Sequence, residues 1–510
     1  MSKKYIDVMD TTFRDGLESI LNNHVSMEDL LPAVAFASDI GINHFEFGGY
    51  GNFSSLCLNL HQDPFEMMLR FREAAGPEAN LQVLAHGINT VMHESASREL
   101  INLFAKLFAK YETTTVRNYD ALNDIRNLEF SGSVIKHHGM LHEVTVTLMD
   151  LPPGAVGAHD VEFYKKKIIE ILESGIEFDS IAFKDASGTS NPAKIYETIK
   201  MARELLGEDM HIRLHTHESA GVSIAAYLAA LEAGVDGIDL AASPLSGGAS
   251  QPDMLTLLLA TKGMDYNLND LEPHKVLKYE EFLKEQLKDY LIPTEAKEVN
   301  PFIQYAPMPG NEFNTHLRMI QKNGNLKIFD NVIKSMREVI ERGGFGTSVA
   351  PLSQYYWEQA LTNVQCGPWQ QIVPGYGKMV LGYFGRTPIV PDPEIVTLAS
   401  QKLNLEPTVK DPLKFADADE KKSINYWKSI LEKEAIEISD ESIFIAATCK
   451  KEAIAYLKGE PIHPEKKSEE PIEKRVPERY TVTVNGEKYS VEVAPEDNII
   501  ESVSINDAYK

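Results

Sequence analysis

Along the first half of the chain, short runs rich in β-branched and aromatic residues alternate with longer stretches whose apolar side chains recur every three to four positions. The pattern predicts strands over 6–11, 42–47, 81–85, 114–118, 143–148, 180–184, 212–216 and 237–241. It predicts a helix after each, over 28–39, 64–75, 97–110, 124–138, 161–173, 192–206, 222–232 and 251–261. Ser26 and Asp29 have capping-box spacing ahead of Gly41, and Asn191-Pro192 opens a helix with proline at its first position. Strands linked by helices of crossover length are parallel, because an antiparallel pair needs only a tight turn. Eight such units within residues 1–265 match a (β/α)8 TIM barrel, which typically takes ~250 residues. The rival, an open doubly wound sheet, calls for a glycine-rich phosphate loop after the first strand, and Asp10-Thr-Thr-Phe-Arg14-Asp15-Gly16 is not one.

Beyond Gly263 the period is helical and charged, over 274–290 and 329–341 for example, with Pro- and Gly-rich loops between. Residues 266–458 therefore read as a mostly helical domain. A linker over 459–479 is rich in Pro, Glu and Lys. Two alternating runs then flank Asn485-Gly486, the signature of a β-hairpin, so 480–510 reads as the start of a small β module. The expected fold class is α/β: a TIM barrel, a helical domain and an incomplete C-terminal β module.

Charge narrows the partners. The 50 basic and 75 acidic side chains leave a net charge of −25, which argues against nucleic acid and anionic membrane surfaces. No apolar run approaches the ~18 residues of a membrane span, and the first residues lack a signal core. The three cysteines, Cys57, Cys366 and Cys449, are far apart, which disfavours a disulfide framework or zinc–thiolate site and suits the reducing cytoplasm.

In a parallel barrel the C-terminal ends of the strands build the active site. Those ends carry Arg14 and Asp15, Glu46, Lys184 and Asp185, and His215-Thr-His217. Alternate residues of a strand share a face, so His215 and His217 point the same way at ligand spacing. The plainer reading is two hydrogen-bonded histidines. Adding Asp15 makes a donor set suited to Zn, Mn or Co. Lys184 is costly at a buried strand end unless it pairs with Asp185 or another rim acid, or is carbamylated by CO2 and becomes an anionic ligand.

These residues amount to a resemblance. Asp10–Gly16, Lys184-Asp-Ala-Ser-Gly188, His215-Thr-His217-Glu-Ser-Ala-Gly221, Ala242–Pro252 and Asp120–Asp124 resemble signatures of the carboxyltransferase subunits of biotin-dependent enzymes. That family includes the carboxyltransferase-bearing subunit of pyruvate carboxylase, the oxaloacetate decarboxylase alpha subunit and transcarboxylase 5S. The resemblance implies a divalent metal on Asp15, His215, His217 and carbamylated Lys184. It also implies catalytic roles for Arg14 and Lys184, with Glu46 supporting Arg14. CO2 would pass between carboxybiotin and a small 2-oxo acid such as pyruvate or oxaloacetate. Biotin would ride on a carrier domain loaded by a biotin carboxylase subunit, since no Met-Lys-Met acceptor occurs in this chain. The tail would begin a biotinyl-like module, and the protein would form a homodimer or higher oligomer.

Four positions depart from the family's pattern. Among the residues expected to meet substrate alongside Arg14, Glu18 stands for Gln, His86 for Arg, His93 for Tyr and Ala249 for Thr. Alanine carries no proton, so Ser246 or Ser250 would have to substitute. His86 lacks the bidentate clamp that arginine offers a carboxylate. Two alternatives follow: a metal-dependent lyase or Claisen-type enzyme like 3-hydroxy-3-methylglutaryl-CoA lyase, and a non-catalytic paralogue.

Overall fold

The computed structural model describes residues 3–322 and 326–460, and the strands Arg479–Val484 and Glu487–Glu492. Eight parallel strands close into a barrel: β1 (Lys4–Asp10), β2 (His44–Gly48), β3 (Asn80–Ala85), β4 (Thr115–Tyr119), β5 (Leu141–Thr147), β6 (Ser180–Asp185), β7 (His211–Thr216) and β8 (Gly237–Leu240). β1 pairs with both β2 and β8, with Asp7 opposite Gly237 and Asp10 opposite both Phe45 and Leu240. A short strand, β9 (Tyr266–Leu268), adds to β1 outside the closed ring.

Closure sorts the side chains by alternation. Ile212 and Leu214 on β7, Val144 and Val146 on β5, and Ile181 and Phe183 on β6 join the core between strands and helices. The opposite face is polar. Arg117, Glu143, Arg213 and Asp239 are at most 1% exposed, and Arg117 pairs with Glu143 and Asp239. Arg213 pairs with Asp7 and, at 3.1 Å, with Asp239. Barrel interiors are usually filled by Val, Ile and Leu. Here the buried charges compensate one another, and the network ends at the histidines of β7.

Helix starts follow their sequence signals with one exception. Asn191 accepts the Lys194 N–H at 3.0 Å ahead of Pro192. Ser26 precedes Met27–Asp39 as expected, but its hydroxyl donates to the Asp29 carboxylate at 2.9 Å and caps no backbone N–H. The carboxylate is the stronger acceptor, so the expected capping box does not form.

At the end of β1, Asp10 is fully buried and accepts the Thr12 N–H (2.9 Å) and the Tyr279 hydroxyl (2.8 Å). Burial pushes its carboxyl up to about 6, against those hydrogen bonds. A carboxyl raised in the folded state stabilises most below its ordinary pKa of ~4, and that contribution is lost as pH rises through about 6. Asp10→Asn should therefore gain ~2 kcal/mol relative to wild type at pH 8 and nothing near pH 4, measured as unfolding midpoints. An equal difference at both pH values would refute this account.

After β9 the chain is helical. Leu326–Arg342, Leu352–Cys366 and Pro374–Val380 share a second core through Val332, Met336, Tyr356, Trp357 and Tyr376. That core includes Leu84, Tyr119 and Leu122 from the barrel's C-terminal rim, so these helices roof one side of its mouth. The helix Asp440–Leu457 packs on the barrel flank, setting Phe444 edge-on against Phe53 and Phe108.

The two C-terminal strands pair antiparallel, with Thr481 opposite Ser490, and make a separate unit. The expected turn at Asn485-Gly486, most of the linker and the chain after Glu492 lie outside the described residues.

Candidate active site

Each strand end delivers its side chain for a local reason. After β1 the chain makes one wide helical turn, Thr12–Gly16, which buries Arg14 and Asp15. Thr11 Oγ1 ties this turn to β8 by donating to the Leu240 carbonyl (3.0 Å) and to Gln251 Oε1 (2.7 Å). After β6, Asp185 accepts the N–H groups of Ser187, Gly188 and Ser190 at 3.0, 2.9 and 2.6 Å. Gly188 has φ +68°, and a Cβ there would stand 2.3 Å from the His217 carbonyl oxygen. Only glycine lets the β6 loop lie this close to the β7 end.

Asp15, His215 and His217 converge. Asp15 Oδ2 lies 3.2 Å from His215 Nε2 and 3.3 Å from His217 Nε2, and the two Nε2 atoms are 3.1 Å apart. Their outer nitrogens are engaged: His215 Nδ1 with Asp239 Oδ2 at 2.8 Å, and His217 Nδ1 with the Ala249 carbonyl at 2.7 Å. Both Nδ1 atoms therefore carry the proton, and both Nε2 lone pairs face the centre. Three acceptor atoms facing one another make a donor set for a cation. Their separations suit a tetrahedral ion with bonds of ~2.0–2.1 Å, whose ligand atoms lie about 3.3 Å apart. The residues fit a divalent metal.

Lys184 Nζ is 2.8 Å from His215 Nε2 and 3.7 Å from Asp15 Oδ2. It turns away from Asp185, because neighbours on a strand point to opposite faces. Burial, only partly offset by Asp15, pushes the lysine pKa down and favours the neutral amine. Asp15 stays well below the ordinary carboxylate range: burial raises it, but Arg14, His217 and Lys184 outweigh that.

Arg14 Nη2 bridges Asp15 (2.8 Å) and Glu46 (2.7 Å), while Nη1 stands 3.7 Å from Glu18. The Glu18 side chain keeps 36% exposure, and burial raises its carboxyl against the pull of Arg14. His86 Nε2 meets the Tyr119 hydroxyl at 3.0 Å. Burial, with Arg14 and Lys184 nearby, pushes His86 down to about 3, so it is uncharged at neutral pH. His86 and His93 line one cleft of about 330 Å³ between the barrel rim and the helical roof. His93 also faces the Tyr50 ring, with centroids 5.8 Å apart. Ala249 meets the centre through its carbonyl oxygen, not its side chain.

Three participants were not singled out from the sequence. Asp239 orients His215. Gln251 directs its amide nitrogen to His217 Nε2 at 3.0 Å, and sits in the recognised Ala242–Pro252 motif. Ser219 has a buried hydroxyl with no partner among the described residues. A Cβ on Gly310 would stand 2.5 Å from Ser219 Oγ and 2.9 Å from Ala249 Cα, so serine and alanine are neighbours. By contrast the Ser246 hydroxyl is turned to Asp253 (2.8 Å), and that of Ser250 to Gln251 Oε1 (3.4 Å).

Known proteins share this arrangement of elements and sequence. A conserved carboxylase domain matches residues 303–495, and an HMGL-like domain matches 141–265. The methylmalonyl-CoA carboxyltransferase 5S subunit of Propionibacterium freudenreichii subsp. shermanii is 28% identical over 410 residues, covering 80% of this chain and 79% of that protein. A pyruvate carboxylase subunit of Methanocaldococcus jannaschii is 27% identical over 497 residues, covering 96% and 84%. The carboxyl transferase domain of Rhizobium etli pyruvate carboxylase superposes with a TM-score of 0.79 at 25% identity, over 90% of this chain and 78% of that one. With a closed barrel, a roofed mouth and both domain matches in chain order, the chain is similar over most of its length to carboxyltransferase subunits of the pyruvate carboxylase and transcarboxylase kind.

Proposed function

We propose that this chain moves CO2 between carboxybiotin, presented on a carrier domain, and a small 2-oxo acid at a divalent metal centre. The observation that carries the reading is the convergence of Asp15, His215 and His217, with Lys184 Nζ 2.8 Å from His215 Nε2. Asp15, His215 and His217 would hold Zn, Mn or Co, with Lys184 as a fourth donor once its neutral amine has taken up CO2 as a carbamate. A cation there supplies Lewis-acid polarisation of a keto oxygen, which favours the enolate.

The remaining work falls to the chain. Arg14, fixed by Asp15 and Glu46, adds a permanent positive charge that needs no reorganisation as the enolate forms. Asp239 and the Ala249 carbonyl hold the two imidazoles in place through their Nδ1 atoms. Ser219 offers a free hydroxyl beside Ala249 for moving a proton between the acceptor carbon and biotin. A separate biotin carboxylase subunit would load the carrier.

The purified chain should contain about one equivalent of metal and decarboxylate oxaloacetate when biotin is added, read by elemental analysis and pyruvate release. The HMGL-like match favours one alternative, a lyase. Acyl-CoA cleavage without biotin would establish that reading, and absence of both metal and turnover would overturn both.

A further inference from the structure

The cleft beside His86 has a charge pattern that the reaction centre does not use. It is lined by His86 and Tyr119 from the barrel and by Lys378 and Lys422 from the helical region. Lys378 is exposed to the cleft, and its ammonium has no carboxylate or hydrogen-bond partner among the described residues. Lys422 donates to the Ser95 carbonyl at 2.7 Å.

The cleft's own acids leave Lys378 unpaired among the described residues and reach only Lys422, through Glu94. Glu94 is bound by Lys450 at 2.8 Å and stands 4.0 Å from Lys422. Asp120 is occupied by the Leu122 and Asp124 N–H groups and the Asn127 amide, at 3.1, 2.9 and 3.0 Å, and burial pushes it up to about 7. The stacked rings of Tyr355 and Phe384 (centroids 5.8 Å apart) add an apolar wall. The cleft thus combines an uncharged imidazole, apolar rings and two lysines. A volume of about 330 Å³ is that of a small-molecule site and exceeds the need of a three-carbon acid.

We propose that this cleft is a tail subsite for the acceptor, and that the acceptor is an elongated 2-oxo acid whose far end is an oxyanion held by Lys378 and Lys422. The inference rests on the carboxyltransferase reading and specifies its acceptor. Two ammonium groups take a carboxylate or a phosphoryl tail by the same charge-assisted hydrogen bonds.

Calorimetric titration of the full chain tests it. The probes are 2-oxoadipate, 2-oxohexanoate (the same length without the tail charge) and 3-phosphohydroxypyruvate. The charged-tail acids should bind roughly tenfold or more tightly than 2-oxohexanoate. That ratio should collapse in Lys378→Ala/Lys422→Ala and survive in Lys378→Arg. A stronger preference for the phosphoryl probe would identify the tail as phosphoryl. Equal binding of 2-oxoadipate and 2-oxohexanoate, or a ratio unchanged in the double variant, would sink the proposal.

An exchange assay with carboxybiotin keeps the two readings apart. Lys378-dependent binding without any CO2 exchange would preserve the subsite and remove the carboxyltransferase reading. Exchange on pyruvate with a binding ratio indifferent to both lysines would preserve the reaction and remove the subsite.

Discussion

Replacing Asp15 by asparagine is expected to release the metal and lower carboxyl transfer by about three orders of magnitude. The substitution conserves volume, so the effect isolates charge. Asp15 Oδ2 is shared by Arg14 at 2.8 Å, Lys184 at 3.7 Å and the Nε2 atoms of His215 and His217 at 3.2 and 3.3 Å. It is the one anion among the three converging side chains. Without it the centre offers two imidazoles, and Arg14 is left with Glu46 at 2.7 Å and Glu18 at 3.7 Å. Breaking one buried ion pair costs about 3 kcal/mol, so the unfolding midpoint should fall as well. Elemental analysis separates the two effects: a folded Asp15→Asn protein that retained stoichiometric metal and activity within tenfold of wild type would exclude Asp15 as a ligand.

The fold was legible because each level of the chain repeats one message. Every predicted strand overlaps an observed one, and seven of the eight helix pairs differ at either end by two residues or fewer, the last helix being shorter at Met254–Ala260. The helix Tyr50–Leu58 was not foreseen: its sequence, Tyr-Gly-Asn-Phe-Ser-Ser-Leu-Cys-Leu, has no clear helical stripe, and it forms by packing against Phe65, Phe108 and Phe444. At the site, residues at strand ends could be read directly because chain position alone places them at the mouth. Asp239 could not be, since its partnership with His215 depends on the register that sets Arg213 opposite Gly237. Lys184 shows the reverse. The alternation that made His215 and His217 a pair already placed Asp185 on the other face, so its pairing with Lys184 could have been dismissed at once.

Asp239 also concentrates the cost of a polar interior in one carboxylate, and Asp239→Ala should be the most destabilising single change in the barrel. Asp239 is fully buried and accepts hydrogen bonds from Arg117, from Arg213 at 3.1 Å and from His215 Nδ1 at 2.8 Å. Removing it leaves Arg117 to Glu143 and Arg213 to Asp7, with one buried anion fewer than the network was built around. Breaking a buried pair in this way costs ~3–5 kcal/mol. The change also frees the His215 tautomer, which should weaken metal affinity by about 10–100-fold even where the protein remains folded. The pH dependence gives the mechanism a sign. Burial raises the Asp239 carboxyl, but Arg117, His215 and Arg213 hold it well below the ordinary range. Its contribution is therefore complete above the unfolded pKa of ~4 and is lost as pH falls toward its folded value. The gap in unfolding midpoint between wild type and Asp239→Ala should be widest near neutrality and narrow steadily as pH falls below about 4. A gap that stayed constant down to pH 3 would mean that lost packing, and not the missing charge, accounts for the destabilisation.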